Sequence, residues 1–105
     1  MENKVLIIQN AQSQLESQIQ SSSLSQDEKN SMLASIKEVD AKLVVSLCDQ
    51  AQPPLTKANL SYIFCFLAGI RVKLIARVFN VEPATVYTSR FRLRKHFKYV
   101  GMPPF

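Results

Sequence analysis

A chain of 105 residues with 47% hydrophobic content is sized for one domain with at most a small appendage, and two cysteines with two glycines exclude a disulfide-stapled or glycine-rich scaffold. The net charge of +5 is unevenly placed: residues 1–54 carry four Lys against seven acids, a net of −3, whereas residues 55–105 carry nine Lys and Arg against Glu82 alone, a net of +8. A half that basic is a candidate for polyanion binding, the alternative being a solvated surface that happens to be basic.

The first predicted element is a helix from about Asn3 to Gln20. Ile8, Leu15 and Ile19 fall at heptad-like spacing, with Ala11 and Gln12 in the intervening slots. The rest is Gln, Ser, Asn and Glu, so the apolar stripe is thin and an isolated helix of this length has little to stabilise it. Ser21 to Ser23 break the pattern. Ser25-Gln26-Asp27-Glu28 then forms a capping-box signature that starts a second helix near Gln26, with its acids at the positive end of the helix dipole. Its stripe is Met32, Ile36, Val39, Leu43 and Leu47, an a/d-like seam. Pro53-Pro54 forbid continuation, so the helix is expected to end before Gln52. Residues 1–52 thus read as a helical hairpin or coiled-coil segment. Two roles stay open for it: packing on the C-terminal domain, or service as a linker that forms a homodimer.

Beyond the prolines, residues 55–99 read as three or four compact helices. Thr56 is a candidate N-cap for a helix through Ala68, which Gly69 ends. A short helix spans Arg71 to Phe79, and Asn80 suits a left-handed residue at its end. Pro83 fits the first turn of a helix running to about Phe97. The tail 100–105 has no visible reason to be ordered unless Phe105 or Met102 docks. The expected fold is all-α. Val5 to Ile8 is too short for a signal-peptide core. Leu60 to Ile70 is about half a bilayer span, which leaves a soluble, cytoplasmic protein with no membrane partner.

From Leu74 to Leu93 the spacing is that of a helix-turn-helix. Ile75, Ala76 and Phe79 line one side of the first helix, Val81 lies in the turn, and Val86, Arg90 and Leu93 line the second, followed by Phe97. The outer face of the second helix, from Thr85 to Lys95, then holds Thr85, Tyr87, Thr88, Ser89, Phe91, Arg92 and Lys95. Short donors sit at its front and cations toward its end, as a helix entering a major groove of about 12 Å requires. Arg90, Arg92, Arg94, Lys95 and Lys98 ring it with charge. Contact with about six phosphates would give a salt slope of about −5.

Leu55 to Phe97 resembles the C-terminal DNA-binding domain of the LuxR/NarL type. The matching positions are Leu55-Thr56, Ile63, Gly69, Lys73, Ile75-Ala76, Phe79, Val81, Thr85-Val86, Leu93 and Phe97. Arg90-Phe91-Arg92-Leu93-Arg94-Lys95-His96 is similar to the end of this domain in Bacteroidetes-type sensor-regulators, where it follows a helical linker, and the likeness extends loosely to sigma factor region four. The resemblance implies base-facing roles for Tyr87, Thr88 and Phe91, and phosphate-facing roles for Lys73, Thr85, Ser89, Arg92 and Lys95. It implies a transcriptional regulator on double-stranded DNA. The chain departs from the pattern at Asn59 and Leu74, where the family has acids that brace the domain, and at Glu82, which replaces a Ser near the phosphate. Leu74, Glu82 and the outward aromatics favour an alternative, a protein-interaction module of the same fold docking on polymerase or a sensor partner.

No enzyme is expected. His96 has no acid or nucleophile at working spacing, and phosphate contact or plain exposure is its expected role. Paired carboxylates and a Gly-rich phosphate loop are absent from the sequence. Cys48 and Cys65 lack metal-ligand spacing and read as small buried hydrophobes of a reducing compartment. No cofactor or metal is implied.

Overall fold

The computed structural model describes residues 4–97 and Phe105. Asn3, Lys98 and tail residues 100–104, on which parts of the sequence reading fall, lie outside the described residues. Six helices form the described fold: α1 (Lys4–Ser21), α2 (Gln26–Lys37), α3 (Ala41–Gln50), α4 (Lys57–Leu67), α5 (Val72–Phe79) and α6 (Pro83–Lys95). No strand occurs among the described residues, so the chain is all-α.

The thin stripe of α1 is buried along its whole length: Ile8, Ala11, Leu15 and Ile19. It packs on α2, α3, α4 and α5 together. One core results, joining Met32 and Ile36 of α2 and Val44 of α3 to Leu60, Phe64 and Cys65 of α4, Ile75, Ala76 and Val78 of α5, and Val86 of α6. Each large apolar side chain so buried stabilises the fold by about 1.5–3 kcal/mol. Residues 4–52 are therefore packed on the C-terminal helices, and Pro53-Pro54 does not divide the core. The stripe expected to serve a coiled coil is used up inside the chain because α4 and α5 offer it an apolar surface in cis.

The capping box at Ser25 forms as the sequence predicts. The Glu28 N–H donates to Ser25 Oγ at 3.2 Å, and the Ser25 N–H donates to Glu28 Oε1 at 3.0 Å. That main-chain donor holds the Glu28 carboxyl below the usual carboxylate range. Arg77 of α5 reaches the same carboxylate at 3.4 Å and the Ser23 carbonyl at 3.3 Å. Gln12 of α1 donates to the Ile36 carbonyl at 3.1 Å, supplying a partner near the C-terminal end of α2.

The single helix expected from Gln26 to before Gln52 is instead two. Asp40 caps a new helix, its carboxylate accepting from the Lys42 N–H at 2.9 Å, while Glu38 closes α2. The break resets the helical phase. Met32 and Ile36 are buried as expected, but in α3 the inward positions are Val44 and Leu47, and Leu43 is left 41% exposed. The Lys4 ammonium pairs with the Asp49 carboxylate, joining the start of α1 to the end of α3.

In α4 the Thr56 cap is a full capping box. Thr56 Oγ1 accepts from the Asn59 N–H at 3.2 Å, and Asn59 Oδ1 accepts from the Thr56 N–H at 2.9 Å. Asn59 thus keeps the bracing that its lack of charge was expected to weaken, because an amide oxygen accepts as a carboxylate does. Leu74 is half-buried against the core, where the family pattern has an acid. Gly69, at φ +70°, and Asn80, at φ 55°, end α4 and α5 in the left-handed conformation. Around both, a 6→1 bond (Ile70 N–H to Cys65 O, 3.1 Å; Val81 N–H to Ala76 O, 3.0 Å) marks a Schellman termination. Cys65 is buried, its thiol pushed up to about 12 by burial, whereas Cys48 is only half-buried.

Two stability measurements follow. Leu15→Ala should cost about 3 kcal/mol in urea unfolding and leave one cooperative transition; a loss under about 1 kcal/mol would mean that α1 is not part of the core. Asn80→Gly should change stability by less than about 0.5 kcal/mol, and Asn80→Val should cost about 1–2 kcal/mol, because only the second strains the left-handed turn.

Candidate nucleic-acid interface

Helices α5 and α6 are joined by a turn of three residues, Asn80 to Glu82. The left-handed Asn80 reverses the chain and Val81 follows it half-buried. Pro83 then starts α6 at a position where its missing N–H costs nothing. The inner side of α6 is set by Val86 and Leu93, with Phe97 just past the helix; all three are buried. Val86 joins the main core. Leu93 and Phe97 join a second cluster with Leu47, Ala51, Ile63 and Phe105.

Each residue advances the helix by about 100°. With Val86 and Leu93 inward, the row pointing directly away from the body is Ala84, Thr88, Phe91 and Lys95. Thr85 and Arg92 flank it on one side, Tyr87 and Arg94 on the other. All of these are exposed, Tyr87 at 59% and Phe91 at 60%. Nothing from α1, α2 or α3 covers this face. The Lys95 ammonium lies 4.7 Å from the Phe91 ring centroid, so a cation and an apolar disc are presented together. α6 holds no acid, and its last turn carries Arg92, Arg94 and Lys95.

Of the residues expected to face bases, Tyr87, Thr88 and Phe91 are therefore neighbours on one exposed surface. Among those expected to face phosphate, Thr85, Arg92 and Lys95 share that surface. Ser89 does not share it fully: it is half-buried at the inner edge of α6. Lys73 is exposed on α5, a separate helix, and no hydrogen bond or ion pair joins it to the α6 row among the described residues.

The ring of charge expected around α6 is incomplete. Arg90 is half-buried, with its guanidinium 5.4 Å from the Phe66 ring centroid. Arg94 donates from Nε to the main-chain oxygen of Phe105 at 2.9 Å. Phe105 is itself buried against Phe66 and Phe97, with centroids at 6.0 and 5.9 Å. His96 is half-buried and hydrogen-bonded within the fold. Its Nδ1 donates to the Pro53 carbonyl at 2.7 Å, and the Gln52 N–H donates to the His96 carbonyl at 2.9 Å. The carbonyl can only accept, so the ring nitrogen must carry the proton. This clasp ties the end of α6 to the 52–53 segment. Ala84 was the outward residue missed in sequence, because a methyl group carries no chemical signature; only its i, i+4, i+7 relation to Thr88 and Phe91 marks it.

Glu82 stands at the N-cap of α6 without a side-chain bond to the helix. It is exposed, and it places a negative charge at the front of a cationic face. No protein-family model matches the chain, and neither does any curated protein or solved structure.

Glu82→Ser should supply the absent cap and raise thermal stability by about 1 kcal/mol. An unchanged or lowered melting temperature would show that the main chain at residue 82 does not accept a serine cap.

Proposed function

We propose that the chain is a DNA-binding transcriptional regulator whose α5–turn–α6 unit is a LuxR-like helix-turn-helix, with α6 entering the major groove. The single observation that carries this reading is the exposed face of α6: hydroxyls, aromatics and cations in one row, with no acid along the helix and, among the described residues, nothing packed over it. Thr85, Arg92 and Lys95 are the phosphate contacts nearest the bases, Lys73 an outlying one, and Tyr87, Thr88 and Phe91 the base contacts. The remaining structure serves to hold that rod at the surface. Such a role places the chain with chromosomal DNA in the cytoplasm.

The homodimer expected through the N-terminal helices loses its seam to the core of the protomer. One chain is accordingly proposed as one reading unit for one half-site. Any pairing of two such units, at a spacing of about one helical turn of DNA, would use surfaces other than the α1 and α2 stripes. A protein-docking role is the second reading, favoured by the exposure of Tyr87 and Phe91. No residue set on the exposed α6 face suggests catalysis.

Among the described residues Arg90 is half-buried and Arg94, though exposed, spends its Nε–H on Phe105, so the phosphate contacts are counted as Lys73, Arg92 and Lys95. The logarithm of affinity for mixed-sequence duplex should then fall with the logarithm of salt at a slope of about −3, shallower than the −5 or so that the sequence suggests. Fluorescence anisotropy over a salt series measures it. Arg92→Ala should weaken all sequences alike and reduce the slope by about 1, whereas Thr88→Ala or Tyr87→Ala should alter sequence preference. Absence of duplex binding at low salt, with salt-insensitive binding to a protein, would replace this reading with the second.

A further inference from the structure

Sequence readers on a recognition helix discriminate bases chiefly by paired hydrogen bonds: Arg or Lys to guanine, Asn or Gln to adenine, Asp or Glu to cytosine. The outward row of α6 has none of these until its last turn. Its front consists of Ala84, Tyr87, Thr88 and Phe91, and what these side chains share is exposed carbon: two methyl groups and two rings. In the major groove the partner for exposed carbon is the methyl group at C5 of a pyrimidine, which thymine carries and cytosine does not.

The surroundings of this apolar row decide between a nucleic acid and a protein groove. Arg92 flanks it, Lys95 stands over the Phe91 ring, and no acid lies along α6, the one negative charge at its front being Glu82 at the N-cap. An apolar strip edged by cations suits a ligand whose methyl groups are edged by phosphates. A hydrophobic protein groove would leave those charges facing carbon at a desolvation cost.

We infer that Ala84, Thr88, Phe91 and Tyr87 read the C5-methyl groups of pyrimidines in the major groove, thymine being the base selected. The inference rests on the DNA-binding reading and adds to it the class of base recognised. Phe91 is the principal contact, since it carries the aromatic ring on the row that points directly away from the body and is 60% exposed. Thr88 and Ala84 offer smaller contacts toward the front of the helix. Tyr87 adds a hydroxyl, able to accept or donate to a neighbouring base edge.

The test uses the full chain. Duplexes are selected from a random-sequence pool, and each thymine in the selected site is then replaced by deoxyuridine, which removes only the methyl group. Affinity should fall about fourfold per contacted methyl, and at one position that loss should nearly vanish in Phe91→Ala. Phe91 is exposed, so the variant should keep its helical circular dichroism. In a further arm, a sensitive thymine is replaced by cytosine or by 5-methylcytosine. The methylated base should recover part of the affinity, and only part, because its amino group replaces the O4 acceptor of thymine. Equal binding of thymine and deoxyuridine duplexes would overturn the inference while leaving DNA binding intact. Tighter binding of 5-methylcytosine than of thymine would overturn thymine as the base selected and assign the row to methylated DNA. Failure to select any duplex would overturn both this inference and the reading beneath it.

Discussion

Burial of the α1 stripe is the interaction on which the remainder depends. Ile8, Leu15 and Ile19 project from a helix that is otherwise Gln, Ser, Asn and Glu, and such a helix does not stand alone in water. It persists because α2, α3, α4 and α5 each give it an apolar surface. In return it holds α4 and α5 in place, which a short three-helix unit would do less firmly. Among the described residues no polar or charged side chain is buried, so the body is specified by packing, by caps and by helix ends rather than by a polar network.

That arrangement explains why α6 faces outward. It meets the body through Val86, Leu93 and Phe97, and through the aromatic group around Phe66 and Phe105. The His96 and Gln52 hydrogen bonds and the Arg94 bond to Phe105 fasten its far end. Left-handed Asn80 fixes its near end. A helix secured at both ends along one narrow line presents the rest of its circumference to solvent. Rigidity of this kind lets a row of side chains keep its register against a partner of fixed pitch, and limits the ordering entropy lost on binding. The same fastening half-buries Arg90 and commits the Nε–H of Arg94 to Phe105, so part of the positive charge of the C-terminal half maintains the fold.

Much of the architecture was legible in the sequence. The capping boxes at Ser25 and Thr56, Gly69 and Asn80 as helix ends, and Pro83 as a helix start all act locally, and local chemistry can be read from neighbours. The inward positions Ile75, Ala76, Val86 and Leu93 followed from helical period. Three features were not legible. The break at Glu38 to Asp40 has no glycine or proline, and an Asp can cap a helix or sit on its surface equally well. Leu43 was misphased for that reason and Val44 took the inward place, while Leu47 is buried as expected. Whether the α1 stripe finds its partner in cis or in a second chain depends on long-range packing, which periodicity does not encode. The engagement of Arg90, Arg94 and His96 likewise depends on Phe66, Phe105 and Pro53, distant in sequence and joined only by the fold. The exposed row of the site itself was readable, because exposure on a helix follows once its buried face is known.

Chemical-shift mapping by two-dimensional amide NMR, with duplex DNA titrated into the full chain, addresses the central claim most directly. Perturbations are expected to concentrate at Thr85, Tyr87, Thr88, Phe91, Arg92 and Lys95, with the amides of Leu15, Ile19 and Ile36 unmoved. Perturbations centred on α1 to α3, or none anywhere at low salt, would contradict the claim that the outward face of α6 is where this protein meets DNA.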